Sequence, residues 1–204
     1  MNYTTLAKVK AALGAAENTD DSLLQVKIEE ASRILDATIC HAPADFFKAE
    51  TIAAAVIMGR VDIEGNVLCW PGKAVVTAVT AFSYRFNPVQ DWVVVDPAHV
   101  AIESGREVKA YSAANIRGRC QVRLTYTGGY GTETWAGSPS VATITGLPAD
   151  LIDAATVLAV RLYKEEKGGL TDAIGVAELG TMTYTKAMPQ RVVKIGEVYG
   201  RKVV

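Results

Sequence analysis

The sequence has 204 residues, half of them hydrophobic and 21% charged, with a formal net charge of −1. That composition suits a folded core and excludes a disordered chain, and the near-neutral charge excludes a protein that holds nucleic acid through a basic excess. Three widely spaced cysteines, Cys40, Cys69 and Cys120, lack a C-x-x-C and are odd in number, which excludes a disulfide framework or zinc spacing and marks them as buried apolar side chains in a reducing compartment.

The first forty residues predict helix, turn, helix. Thr4 or Thr5 caps a first helix with Leu6, Val9 and Leu13 on one face, and Gly14 ends it. Lys8 and Lys10 interrupt the apolar residues, so this segment does not read as a signal peptide. Asn18-Thr19-Asp20-Asp21 supplies turn and cap chemistry for a second helix running to about Cys40. Its buried stripe is Leu24, Ile28, Ala31 and Leu35, and Glu29 and Arg33 form an i,i+4 pair on the wet face.

Pro43 breaks the helical pattern, and β-branched residues dominate from about 50 to 127. Candidate strands are Ile52–Ile57, Val61–Leu68, Val75–Tyr84, Trp92–Val95, Val108–Tyr111 and Arg119–Thr127. In the last of these, Gln121, Arg123 and Thr125 alternate with Val122, Leu124 and Tyr126, so one face is buried and the other wet. Residues 128–147 read as a long loop containing Trp135, with Val141–Ile144 a candidate short strand. Pro148 opens a third helix striped by Leu151, Ala155, Leu158 and Leu162 and closed by Gly168-Gly169. Beyond it, 170–204 is thin in core pattern, with an alternating stretch at Thr181–Lys186 and scattered apolar and basic residues. The expected fold is thus α+β: a small bundle of three main helices over 1–169, an antiparallel sheet inserted at about 50–127, and an extended C-terminal tail.

Motifs for chemistry are scarce. His41 follows a helix end and His99 follows a turn, two unrelated contexts that make neither a metal site nor a triad. Cys40 and His41 are chain neighbours and do not face one another as nucleophile and base. Gly128-Gly129-Tyr130-Gly131 lacks the third glycine of a dinucleotide loop and the Lys-Ser/Thr of a P-loop, and reads as a turn leaving the sheet. The pairs Asp20-Asp21, Glu29-Glu30 and Glu165-Glu166 read as solvated charge, as does the short cluster Arg117-Gly118-Arg119. No catalytic residue, metal or cofactor is assigned. The longest apolar run, Ile52 to Met58, is too short to cross a bilayer, and no membrane partner is expected.

Two segments carry a resemblance. Tyr3 to Gly14, then Thr19-Asp20-Asp21-Ser22-Leu23-Leu24 and Ala31-Ser32-Arg33-Ile34-Leu35-Asp36, resembles the opening of the head-tail connector (adaptor, head-completion) proteins of tailed bacteriophages. Val122 to Gly131, followed by Leu147-Pro148-Ala149-Asp150-Leu151 and its helix, is similar to the block that introduces that family's last core helix. Leu68-Cys69-Trp70-Pro71-Gly72 and Val75–Phe82 fit between them.

The resemblance implies a non-enzymatic virion protein, assembled in the host cytoplasm and placed at the head-tail interface. It would form a homo-oligomeric ring of about twelve copies beneath the portal protein. The ring would meet tail or neck proteins below and continue the channel for double-stranded DNA, without sequence-specific binding. On this reading residues 170–204 dock on the portal through Tyr184, Met188, Arg191, Val192, Ile195 and Tyr199, and Trp135 meets the tail side. A neck stopper or tail-completion protein of the same virion is the alternative, and a small enzyme or ligand-binding module on the inserted sheet is a further one.

Overall fold

The computed structural model describes residues 1–14, 20–112, 114, 116–136, 141–168, 173–176, 180–183 and 188–200. They fall into two compact units, one made of 46–131 and the other of 1–45 with 132–204. The fold is mixed α+β, as expected, with four α-helices among the described residues where three main ones were expected.

In the helical unit, α1 (Leu6–Leu13) starts at Thr5, whose hydroxyl accepts from Lys8 N at 3.4 Å. It ends at Gly14 with φ +68°, a left-handed cap that glycine adopts without steric cost. Helix α2 (Asp21–Ile34) buries Leu24, Ile28 and Ala31, the predicted stripe, and continues as a π-helical turn over Leu35–Ile39. Asp20 makes no side-chain cap on α2. Its carboxylate accepts instead from the Tyr163 hydroxyl at 2.6 Å and pairs with Lys167 at 2.8 Å, both on α3 (Ala149–Gly168). Leu151, Ala154, Ala155, Leu158 and Ala159 are buried along α3, which is wider than a single stripe and matches a helix enclosed on much of its surface.

The stretch read as a long loop holds a hairpin of β8 (Thr132–Ala136) and β9 (Val141–Thr145), paired from Thr132↔Thr145 to Ala136↔Val141. Thr132 and Thr134 lie across from Thr145 and Thr143, and Trp135, Val141 and Ile144 are further strand formers in the two arms. Their strand propensity outweighed the glycine and proline between the arms. The C-terminal segment also departs from an extended tail. It contains two short paired strands, β10 (Ala173–Val176) and β11 (Gly180–Thr183), and a helix, α4 (Gln190–Tyr199). Val192 and Ile195, three apart, are buried, and Pro189 stands at the N-cap. An i,i+3 apolar pair behind a proline is a helix-start pattern that the interspersed basic residues obscure.

The sheet unit has seven antiparallel strands in the order β4-β3-β7-β1-β2-β6-β5. These are β1 (Glu50–Val61), β2 (Val67–Cys69), β3 (Val76–Arg85), β4 (Val93–Val95), β5 (Val100–Glu103), β6 (Glu107–Ala110) and β7 (Gly118–Gly128). Val76 N donates to Gly105 O at 2.6 Å, bringing the β5–β6 turn back to the start of β3, so the sheet curls nearly into a barrel. Its interior holds Phe82, Tyr84, Val122, Leu124 and Tyr126, with the alternation read in β7 pointing inward as expected.

Two strand readings change. Residues 52–61 are one strand, and the expected strand Val61–Leu68 is instead a turn and the short β2. Asp62 Oδ1 accepts from Glu64 N at 2.9 Å and Asn66 N at 2.8 Å, which closes the chain at 62–66. The strand β5 carries no outstanding sequence signal. It is set by pairing with β6 across a turn in which Ser104 and Gly105 have positive φ. Ala54, also at positive φ, forms a bulge in β1 where the register against β7 shifts between Ile52 and Ala55.

Candidate functional site

The sites expected from sequence are surfaces, and in the helical unit they fall in two places. The first is a groove of about 400 Å³ whose lining includes Met1, Glu29, Arg33, Asp36, Glu133 and Trp135. The N-terminal strand of chain is sewn down beside it. Asn2 donates from its backbone N and Nδ2 to the Glu133 carboxylate at 3.0 and 2.9 Å, and the Met1 ammonium pairs with Asp45. At its floor Asp36 is buried, accepting from the Tyr3 hydroxyl at 2.7 Å and from Asp45 N at 2.9 Å. Burial pushes the Asp36 carboxyl up to about 6, against these two hydrogen bonds. Trp135, on β8, is 52% exposed at the rim. The sequence placed it in a loop; the hairpin instead holds it on a strand facing outward.

The second place is α4. Of the six residues expected to dock on a partner, Tyr184 lies outside the described residues. Val192 and Ile195 are buried at 0% and 3% exposure and serve the core of their own unit. Tyr199 is half-buried, and its hydroxyl donates to the Asp150 carboxylate at about 3.1 Å. Met188 is half-buried as well, and Arg191 is exposed. The part of α4 open to another protein is therefore Arg191 with the exposed valines Val193 and Val198, which the sequence reading did not single out. Helical phase separates the two sets: 192 and 195 share one side, and 191, 194 and 198 share another.

In the sheet unit the remaining sequence motifs have structural roles. The glycine run carries β7 past two other backbones. Gly129 N donates to Val75 O at 2.8 Å, and a Cβ at 129 would stand 2.0 Å from the Lys48 carbonyl oxygen. Cys69 and Cys120 are buried, and burial raises their thiols to about 12 and about 11, so neither is a thiolate nucleophile near neutrality. His41 and His99 are exposed and 58 positions apart on different units. Among the described residues no group of three or more His, Cys, Asp or Glu is placed to hold a metal ion, and no helix is long and apolar enough to cross a membrane.

The cluster of arginines on the wet face of the sheet is the feature that sequence reading passed over. Arg60 on β1 stands opposite Arg119 on β7, and Met58 stands opposite Gln121. On the other side of β7, Arg85 pairs across from Gln121 and Ser83 from Arg123. Arg85 and Arg123 both lie over the ring of Trp92, their guanidinium carbons 4.4 and 4.7 Å from its centre, and Arg60 lies 5.0 Å from that of Trp70. The alternation in β7 signalled that Arg119 and Arg123 face outward; their convergence with Arg60 and Arg85 depends on register and had no sequence signal.

No protein-family model matches the sequence, and no curated protein matches it. Among solved structures, a similar chain belongs to one described as the neck of an empty GTA particle computed with C6 symmetry. The likeness has a TM-score of 0.52 and covers 98% of this chain and 90% of that one, at 16% sequence identity. At that identity it is a likeness of fold.

Proposed function

We propose that the protein is a structural component of the neck of a phage-like particle, a head-to-tail adaptor that forms a ring beneath the portal and continues the DNA channel toward the tail. The observation that carries this reading is the fold likeness, which runs nearly end to end in both chains and so takes in the helical unit and the inserted sheet together. The neighbour belongs to a neck with six-fold symmetry. A ring of about twelve identical subunits contains that symmetry, and identical subunits in a closed ring need a heterologous interface. The order of capped helix, acidic turn, striped helix, glycine-rich strand end and Pro-x-Asp-Leu helix start supports the same assignment independently of the fold.

Portal contact falls to the outer side of α4, through Arg191, Val193 and Val198, and contact with the tail side falls to Trp135. An exposed Arg and Trp flanked by aliphatic side chains are the residue types that dominate docking energetics. The experiment is removal of the protein from an assembling particle. Filled heads that carry portal but no tail, rescued by the added protein, are expected. Tailed particles that form normally and lack the protein would overturn the reading.

A further inference from the structure

The outer face of the sheet unit combines three properties that ordinary surface does not. First, it places like charges directly opposite one another. Arg60 and Arg119 are Cα partners in the β1–β7 ladder, so their side chains leave the same face from adjacent positions. Second, these charges are uncompensated: no carboxylate lies within ion-pair distance of Arg60, Arg85, Arg119 or Arg123 among the described residues. Third, the arginines are interleaved with apolar side chains open to solvent, Val56, Met58 and Val94, the last of these opposite Ser83 on the edge strand. A repulsive pair kept beside exposed apolar groups is a local conflict of the kind that functional surfaces retain.

The composition of the face favours protein over nucleic acid. Surfaces that hold phosphate backbones are polar and strongly basic, whereas the centres of protein interfaces are rich in Arg, Met and aromatic residues. The chain itself holds the complementary charge. Residues 46–131 contain nine Lys and Arg against seven Asp and Glu, a net of +2. The other unit contains twelve against fifteen, a net of −3, and Asp153 and Glu197 are exposed there with no cationic partner among the described residues. One chain thus presents a basic sheet face and an acidic helical unit.

We propose that the face bearing Arg60, Arg85, Arg119 and Arg123 is one half of a heterologous self-interface, and that it takes the acidic surface of the helical unit of a second copy of this chain. Such an interface is head-to-tail, so each copy keeps one unused half for the next, and the series forms a ring when the rotation between successive copies closes. The guanidinium groups stacked on Trp92 and Trp70 are pre-oriented, which lowers the entropy lost on docking. The proposal rests on the ring reading above, but its test is separate.

The test is sedimentation velocity of the full chain over a wide concentration range, at low and high salt, with the double variant Arg60→Gln/Arg119→Gln beside it. Wild type is expected to associate reversibly and to dissociate as salt rises, and the double variant to associate about tenfold more weakly, equivalent to about 1.4 kcal/mol. A charge-reversed chain, Arg60→Glu/Arg119→Glu, still carries the acidic half. Added at low ratio to wild type, it is expected to cap growing assemblies and shift them to smaller sizes. A thermal melt of each variant no lower than that of wild type verifies the fold.

Association of the double variant equal to wild type, or failure of the reversed chain to enter wild-type assemblies, would overturn the proposal. So would a wild-type chain that stays monomeric throughout while duplex DNA binds it and not the double variant, since the face would then serve phosphate. Loss of self-association with normal incorporation into particle necks removes this proposal and leaves the adaptor reading intact; self-association through this face by a protein absent from necks does the reverse.

Discussion

Gly196 lies directly against Ile39: a Cβ built on Gly196 would stand 2.6 Å from the Ile39 carbonyl oxygen and 3.0 Å from its Cγ2. This close approach is what lets α4 seat Val192 and Ile195 in the helical unit. In an exposed helix, Gly→Ala stabilises by about 1 kcal/mol. Here the neighbour is backbone of the π-helical turn and cannot swing aside, so Gly196→Ala is expected to reverse that sign and destabilise by about 1–3 kcal/mol. Urea unfolding of the variant checks this, with Val193→Ala, on the open side of the same helix, expected to change stability by no more than about 0.5 kcal/mol.

Truncation before α4 removes two buried apolar side chains from the unit as well as the exposed Arg191 and Val198. The shortened chain is therefore expected to melt at lower temperature even in isolation. Fully burying a Val or Ile side chain is worth about 1.5–3 kcal/mol. The proposed portal contact is tested cleanly only by the outward substitutions Arg191→Ala and Val198→Ser. These are expected to leave the melt in place and reduce co-sedimentation with portals.

The Asp36 carboxyl gives the helical unit a pH dependence of definite sign. Its value rises from 3.8 to about 6, chiefly by burial, with the Asp45 carboxylate adding and the Tyr3 hydroxyl, Asp45 N and amino terminus opposing. A carboxyl raised in the folded state stabilises when protonated. Its contribution is complete below about 3.8 and is lost as pH rises through about 6. The largest loss is of order 3 kcal/mol. Asp36→Asn cannot ionise, so its stability relative to wild type is expected to climb between pH 4 and 7, measured by thermal melts across that range. A flat difference would mean that Asp36 is solvated.

On the sheet, Arg60→Gln removes one member of the facing arginine pair. Like charges directly opposite destabilise by about 0.2–1 kcal/mol. The variant is expected to unfold at slightly higher temperature, with the gain shrinking as salt screens the pair. A lower melting temperature would show that the Arg60–Trp70 stacking outweighs the repulsion.

Much of the architecture was legible in sequence because it rests on local chemistry. Thr5 and Gly14 bound α1, the Leu24–Ile28–Ala31–Leu35 stripe marks the buried side of α2 and its π turn, and alternation from Gln121 to Tyr126 gives β7 its two faces. Each follows from the period of a helix or strand and from a cap residue within a few positions. Asp36 and Val192 show where that ends. The first, outside the apolar stripe of its helix, is buried beneath the N-terminal segment, whose Tyr3 hydroxyl donates to it; the second read as a partner anchor and belongs to the core.

What the sequence by itself determined was a folded α+β chain with a sheet between helices, no recognisable catalytic motif, and a resemblance to head-tail connector proteins in the order of its segments. What only the tertiary structure decided was partnership across distance. The register of β1 on β7 put Arg60 against Arg119, and the packing of α4 on Ile39 settled which side of that helix remains outside. Neither follows from local periodicity, because a ladder and a helix contact join residues whose separation along the chain is set by turns and loops. One residue of slippage in either would reverse which side chains meet a neighbour.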